Sequence, residues 1–209
     1  MTEEKKKFSR SLVLPITFIT LIWVIKIAEI VIGVSFINFG IYPREIKGLI
    51  GIISLPLIHA DWNHLLSNTL PILFLGTGIY YFYPLSSKKV ILIIYLFTGI
   101  LVWLFARPTY HIGASGLIYG LAAFLFFSGL IRRDKRAITL ALLVTFFYGS
   151  LIWGVLPVDP GISWEGHLFG ALTGIICAFI FRKSDPYKRY DWEDEPDDEE
   201  KPEISYDKN

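Results

Sequence analysis

The chain has 209 residues, 53% of them hydrophobic and 19% charged, with a mean hydropathy of +0.50. A soluble domain of this size keeps a charged skin that this composition cannot supply, so the chain reads as a multi-span, all-α membrane protein. That excludes an ordinary soluble enzyme, a secreted disulfide scaffold and a nucleic-acid binder. The net charge of +1 conceals segregation, since ten of the 19 acidic residues fall in the last twenty positions, and the lone Cys177 leaves no internal disulfide to form.

A bilayer core about 30 Å thick is crossed by roughly 17–25 apolar residues in a helix. Six stretches approach this length: 12–34, 65–83, 90–105, 115–131, 137–153 and 166–181. They define a core at 12–183, preceded by an N-terminal arm at 1–11 and followed by an acidic tail at 184–209 expected to be disordered. The apolar run of the first span is too long for a cleavable signal peptide, and no small-x-small site follows it. Between spans one and two, residues 35–63 mix Tyr42-Pro43-Arg44-Glu45 with an apolar run from Gly48 to Leu57. That run is too short to span, and Pro43 and Pro56 interrupt the segment, so an interfacial, partly embedded loop is expected.

Orientation follows from lysine and arginine. Fourteen lie on one side: Lys5, Lys6, Lys7, Arg10, Lys88, Lys89, Arg132, Arg133, Lys135, Arg136, Arg182, Lys183, Lys188 and Arg189. Three lie on the other: Arg44, Lys47 and Arg107. Both termini are therefore expected in the cytoplasm, and spans two, four and six begin on the outer side.

Polar residues inside spans are site candidates by default, because hydrocarbon penalises them. His64 and Asn68 open span two, Ser115 opens span four and His167 opens span six, so three distant segments carry polar groups to one depth. The glycines of Gly113-Ala114-Ser115-Gly116 permit a sharp entry into the helix and leave the hydroxyl open. The unpaired N–H groups of the helix start could hold an oxyanion formed when Ser115 attacks a carbonyl. A serine needs a base, and His167 is the candidate. Gly116 and Gly120 on span four, with Gly166, Gly170 and Gly174 on span six, provide the small surfaces through which membrane helices approach closely. Spans four and six are short, as helices starting below the membrane surface, under a water-filled dip, would be.

Three segments together resemble the rhomboid family of intramembrane serine proteases. They are His59-Ala60-Asp61-Trp62-Asn63-His64-Leu65-Leu66-Ser67-Asn68, then Gly113-Ala114-Ser115-Gly116-Leu117-Ile118-Tyr119-Gly120, then Gly166-His167-Leu168-Phe169-Gly170-Ala171-Leu172-Thr173-Gly174. The resemblance implies a six-transmembrane-helix rhomboid-like bundle and a serine–histidine dyad without an acidic third member. Ser115 would be the nucleophile and His167 the base. Asn68, His64 and the Ser115 N–H would serve the oxyanion, and Tyr119 would stack on the His167 ring. Gly113, Gly116, Gly170 and Gly174 would support the site, and His59 would brace the first loop. No cofactor or metal is implied. The partners would be single- or multi-span membrane protein substrates and the lipid bilayer. The chain departs from many bacterial relatives in carrying Tyr42-Pro43-Arg44 where they have a Trp-Arg pair. It looks like a minimal six-span form, and short tails without a transit peptide point to a bacterial plasma membrane.

Competing readings attach to several residues. Ser115 could be a plain helix cap. His59, His64 and His167 could in principle form a zinc site, although no H-E-x-x-H helix accompanies them. Glu165 is tempting as a third acidic member but lies two residues from His167, on a different helix face. His111 is expected to be solvated or capping. Lys26 and Glu29 are expected to pair within span one or face the interior. A scaffold that binds membrane spans without cutting them is the alternative to a protease.

Overall fold

A computed structural model describes residues 2–186. The elements are all helical, with no strand among the described residues. The first helix, α1 (Glu3–Ile32), is followed by a first loop that contains the single-turn α2 (Gly51–Ser54). Then come α3 (Trp62–Phe82), α4 (Ser87–Phe105), α5 (Ser115–Arg132), α6 (Lys135–Tyr148) and α7 (Trp164–Ile180). Five helical segments are long and apolar enough to cross a membrane, and α7, at 17 residues, falls just short of the same length.

Polarity is arranged from the inside out. Large apolar side chains such as Val24, Val31, Leu70, Phe74, Phe97, Phe146 and Ile176 are exposed, while Asn68, Thr98, Ser128, His167 and Thr173 are buried. An apolar belt of this extent would be an aggregation hazard in water and is at rest in lipid. The protein is an integral membrane protein.

The described helices differ from the apolar runs where polar chemistry extends or stops them. Helix α1 runs back through the basic arm to Glu3, because Thr2 caps it and Glu3 pairs with Lys6 at 2.7 Å. Its 30 residues reach about 45 Å, longer than a hydrocarbon core. Helix α6 stops at Tyr148, short of the expected 153, and the chain tightens into a 3₁₀ segment, Gly149–Val155. The expected tail begins at Ser184, yet Asp185 is buried. It accepts bonds from Leu85 N (2.8 Å) and Ser86 Oγ (2.6 Å), while Arg132 and Arg136 donate to its backbone carbonyl. The acidic run itself, within 187–209, lies outside the described residues.

Helix α5 is the central element, packed by α7, α6, α3 and α4. It runs parallel to α7 with backbones almost touching. A Cβ at Gly170 would collide with the Gly116 carbonyl oxygen, and one at Gly174 with that of Gly120. Only glycine permits this approach, the small-residue packing by which helices associate in lipid.

The first loop folds onto α4 and does not span. Arg44 N donates to Trp103 O (2.9 Å), Trp103 Nε1 to Glu45 O (2.9 Å), and the Arg44 guanidinium to Ala106 O (2.8 Å), supplying cationic donors to the carbonyl end of α4. At the loop's two ends stands the Lys26–Glu29 pair, 2.7 Å apart and buried. Lys26 Nζ also donates to His59 O (3.1 Å) and Ala60 O (2.9 Å), and Glu29 accepts from Phe36 N (2.9 Å). Helix α1 thus grips both ends of the first loop, immediately before His64 and Asn68.

Breaking one half of this pair leaves a buried carboxylate without its counter-charge. Lys26→Met is expected to destabilise the protein by about 3–5 kcal/mol, and Lys26→Met with Glu29→Leu by less, measured by thermal unfolding in detergent. A single variant as stable as wild type would show that the pair carries no structural load.

Candidate active site

The N-terminal turns of α3, α5 and α7 and the last third of α1 meet at one end of the bundle. Asp61 starts α3 by accepting from His64 N at 2.8 Å. One turn on, Asn68 is buried and its amide donates to His64 O at 2.7 Å, which leaves the second N–H of the same amide for another acceptor. The His64 ring lies against Gly113, where an added Cβ would sit 2.5 Å from both Cε1 and Nε2. Gly113 has φ +104°, a conformation L residues rarely adopt, and it bends the chain into α5 beside that ring. Its N–H is held by Leu55 O at 2.8 Å.

Ser115 is the first residue of α5. The capping position belongs to Ala114, and no side chain caps this helix, so the Ser115 hydroxyl is not spent as a cap. It lies 2.8 Å from His167 Nε2 on α7. The other ring nitrogen, Nδ1, is 2.8 Å from the carbonyl oxygen of Gly154, in the 3₁₀ segment after α6. A carbonyl only accepts, so Nδ1 carries the proton and Nε2 presents its lone pair to the serine O–H. The first-turn amide N–H groups of α5, beginning with that of Ser115, have no acceptor within the helix.

Tyr119 lies one turn below Ser115. Its ring is stacked on the His167 imidazole, with centroids 4.1 Å apart and planes 5° from parallel. Gly154 fits against both rings, since a Cβ there would run into the Tyr119 hydroxyl and stand 3.1 Å from His167 Nδ1. The glycines at 116, 170 and 174 occupy the α5–α7 contact just beneath.

His59 is buried, with its ring 5.0 Å from that of His64 in an edge-on contact, and neither of its ring nitrogens has a partner. Burial, with His64 adding to it, pushes its pKa down to about 4. Among the described residues no three histidine, cysteine or acidic side chains gather to hold a metal ion, so the three-histidine grouping does not form. Glu165 is buried and turned towards Arg107, with Oε1 3.3 Å from both the Arg107 N and Nε, not towards His167.

Two features were not readable in advance. His111, expected in a solvated or capping place, is fully buried and lies 2.6 Å from Ser163 Oγ. The Gly154 carbonyl carries no side-chain signal at all, because every residue has a carbonyl. The Gly149–Gly154 spacing marks a weak point in the helix, but not where the oxygen would point.

The Rhomboid domain family profile matches residues 47–184. An uncharacterized protein of Mycobacterium tuberculosis is 37% identical over 192 residues, covering 83% of this chain and 78% of its own. An uncharacterized protein of Mycobacterium leprae is 36% identical over 174 residues, covering 79% and 69%. RHOMBOID-like protein 4 of Arabidopsis thaliana is 31% identical over 128 residues, covering 59% of this chain and 32% of its own.

The His59 environment makes a prediction with a definite sign. Its folded pKa, about 4, lies below the ordinary 6.5, so its neutral form stabilises the fold fully above pH 6.5. That stability is lost as pH falls through 4, because the unfolded chain takes up the proton first. Thermal unfolding in detergent between pH 7.5 and 4 is expected to show this loss. His59→Leu, which removes the titrating ring, should flatten the acid side of the curve. A profile unchanged by the substitution would contradict a neutral buried imidazole.

Proposed function

Because the chain belongs to the rhomboid family, we propose that it is an intramembrane serine endopeptidase that cuts membrane-spanning proteins near the outer face through Ser115 and His167. Membership alone does not separate a protease from a scaffold that only binds spans. What favours the enzyme is the 2.8 Å contact between Ser115 Oγ and His167 Nε2, groups 52 residues apart in sequence, with the ring in the tautomer a general base requires. A structural histidine has no need of a free serine hydroxyl on its basic nitrogen.

The reaction follows from the donors and acceptors present. A substrate helix enters from the bilayer and unwinds near its top, exposing an extended segment. Ser115 Oγ attacks the scissile carbonyl carbon as its proton passes to His167 Nε2. The imidazolium is steadied by its Nδ1–H bond to the Gly154 carbonyl and by the face of Tyr119, which take the part an aspartate plays in a triad. The developing oxyanion takes bonds from the Ser115 N–H and from the side chains of Asn68 and His64, each donor supplying on the order of 2–4 kcal/mol. Collapse of the tetrahedral adduct releases the amine, which leaves with the proton from Nε2. Water, with His167 again as base, then hydrolyses the acyl-serine. This reaction draws on no cofactor or metal.

The excess of lysine and arginine on one side supports cytoplasmic termini and an outward-facing site. A bacterial plasma membrane is the membrane proposed, and the residues 35–63 sit at its interface as part of the 12–183 core. The partners are membrane protein substrates and the surrounding lipid.

The test is cleavage of a single-span substrate by reconstituted protein, alongside labelling by a fluorophosphonate. Ser115→Ala and His167→Ala are expected to abolish both, and Asn68→Ala to slow cleavage about 10²-fold. Equal cleavage by wild type and Ser115→Ala would overturn the serine mechanism. Substrate binding without cleavage or labelling would favour the scaffold.

A further inference from the structure

The segments that enter α5 and α7 are bonded to each other just above the Ser115–His167 contact. His111 stands four residues before Ser115, and Ser163 stands four residues before His167. The His111 ring is fully buried with both nitrogens engaged. Nε2 lies 3.1 Å from the Arg107 carbonyl, which can only accept, so Nε2 carries the proton. Nδ1 therefore accepts from the Ser163 hydroxyl at 2.6 Å. Ser163 occupies the capping position of α7 yet makes no side-chain cap bond, so the hydroxyl that would ordinarily serve its own helix is given to His111.

The backbone of His111 is fixed as well. It exchanges two bonds with Ile41 of the first loop, at 2.8 and 3.0 Å. Arg107 adds a second tie between the same two segments, reaching Glu165 with its backbone N and guanidinium and Ile162 O with its guanidinium. The glycine surfaces of α5 and α7 allow close approach but resist sliding weakly, since they present no knobs. A directional hydrogen bond between the helix entrances supplies the register that such surfaces lack.

We propose that His111 and Ser163 are positioning residues that set the register of α5 against α7, and so hold Ser115 Oγ on His167 Nε2. The inference rests on the serine–histidine reading of the site. Neither residue touches the reacting atoms. Their effect passes along the short non-helical entry from His111 to Ser115 and the first turn of α7 from Ser163 to His167, where a displacement near 1 Å can cost about 10²-fold in rate.

The experiment uses the full chain in proteoliposomes. The Ser115 labelling rate with a fluorophosphonate is measured for Ser163→Ala, His111→Phe and the double variant, with kcat and KM on a single-span substrate. Each single variant is expected to lower the labelling rate and kcat by about 10-fold or more while KM stays within twofold. The double variant should be no slower than the singles, because the two residues act as one unit. Ser163→Thr, which keeps the hydroxyl, should recover the wild-type rate to within about threefold. Folded variants that label at the wild-type rate, or losses that multiply in the double variant, overturn the proposal.

A second measurement does not depend on turnover. In protein carrying ¹⁵N-histidine, His111 is expected as the neutral Nε2–H tautomer, and Ser163→Ala should shift the His167 ring resonances. An Nδ1–H His111, or a His167 unmoved by Ser163→Ala, overturns the positioning role whatever the protein cleaves. The expected resonances in a protein that neither labels nor cuts would uphold the clamp and defeat the protease reading alone.

Discussion

Everything at the site depends on two helix backbones lying closer than side chains ordinarily allow. Gly170 and Gly174 sit against the carbonyls of Gly116 and Gly120, and a single methyl group on either would push α7 away from α5. In hydrocarbon there is no hydrophobic drive to restore the contact, because lipid tails cover apolar side chains as well as a neighbouring helix does. Dispersion across a flush interface and the hydrogen bonds at the helix entrances are what remain, and dispersion decays over fractions of an ångström. The 2.8 Å contact between Ser115 and His167 stands at the top of this seam, beside Gly116, and inherits its spacing.

The polar groups nearby follow from the same medium. Within lipid an unpaired charge or backbone group is costly, and the charged side chains carried into the bundle beside the site are paired. Lys26 and Glu29 neutralise each other and in doing so hold both ends of the first loop. Arg107 and Glu165 do the same between the entrances to α5 and α7. The Gly154 carbonyl, freed where the α-helix gives way to a tighter turn, is satisfied by His167 and thereby selects its tautomer. Polar satisfaction and site geometry are met by the same bonds, which is why loops without regular structure can hold the site so firmly.

Much of this was legible along the chain. The apolar runs locate the helices to within a few residues, apart from the basic start of α1 and the end of α6. Those misses have a common cause. Helix boundaries are set by capping and backbone bonding, which hydropathy does not register: Thr2 extends α1 into a polar arm, and a 3₁₀ turn ends α6 inside an apolar stretch. The placement of His64, Asn68, Ser115 and His167 at one depth was readable because all open helices that start on the same side. His111 was not, since a histidine in a polar loop looks the same in sequence whether it meets water or the capping serine of another helix.

The one-dimensional information thus determined what kind of molecule this is: apolar runs of spanning length, and glycines at intervals of four where helices must meet. These are properties of single segments interacting with the bilayer, so they need no knowledge of neighbours. Only the tertiary structure decided which imidazole nitrogen faces the serine, which backbone carbonyl the other nitrogen meets, and which residues join the two helix entrances. Those outcomes depend on backbone carbonyls and on partners some fifty residues apart, and a carbonyl has no letter of its own in a sequence.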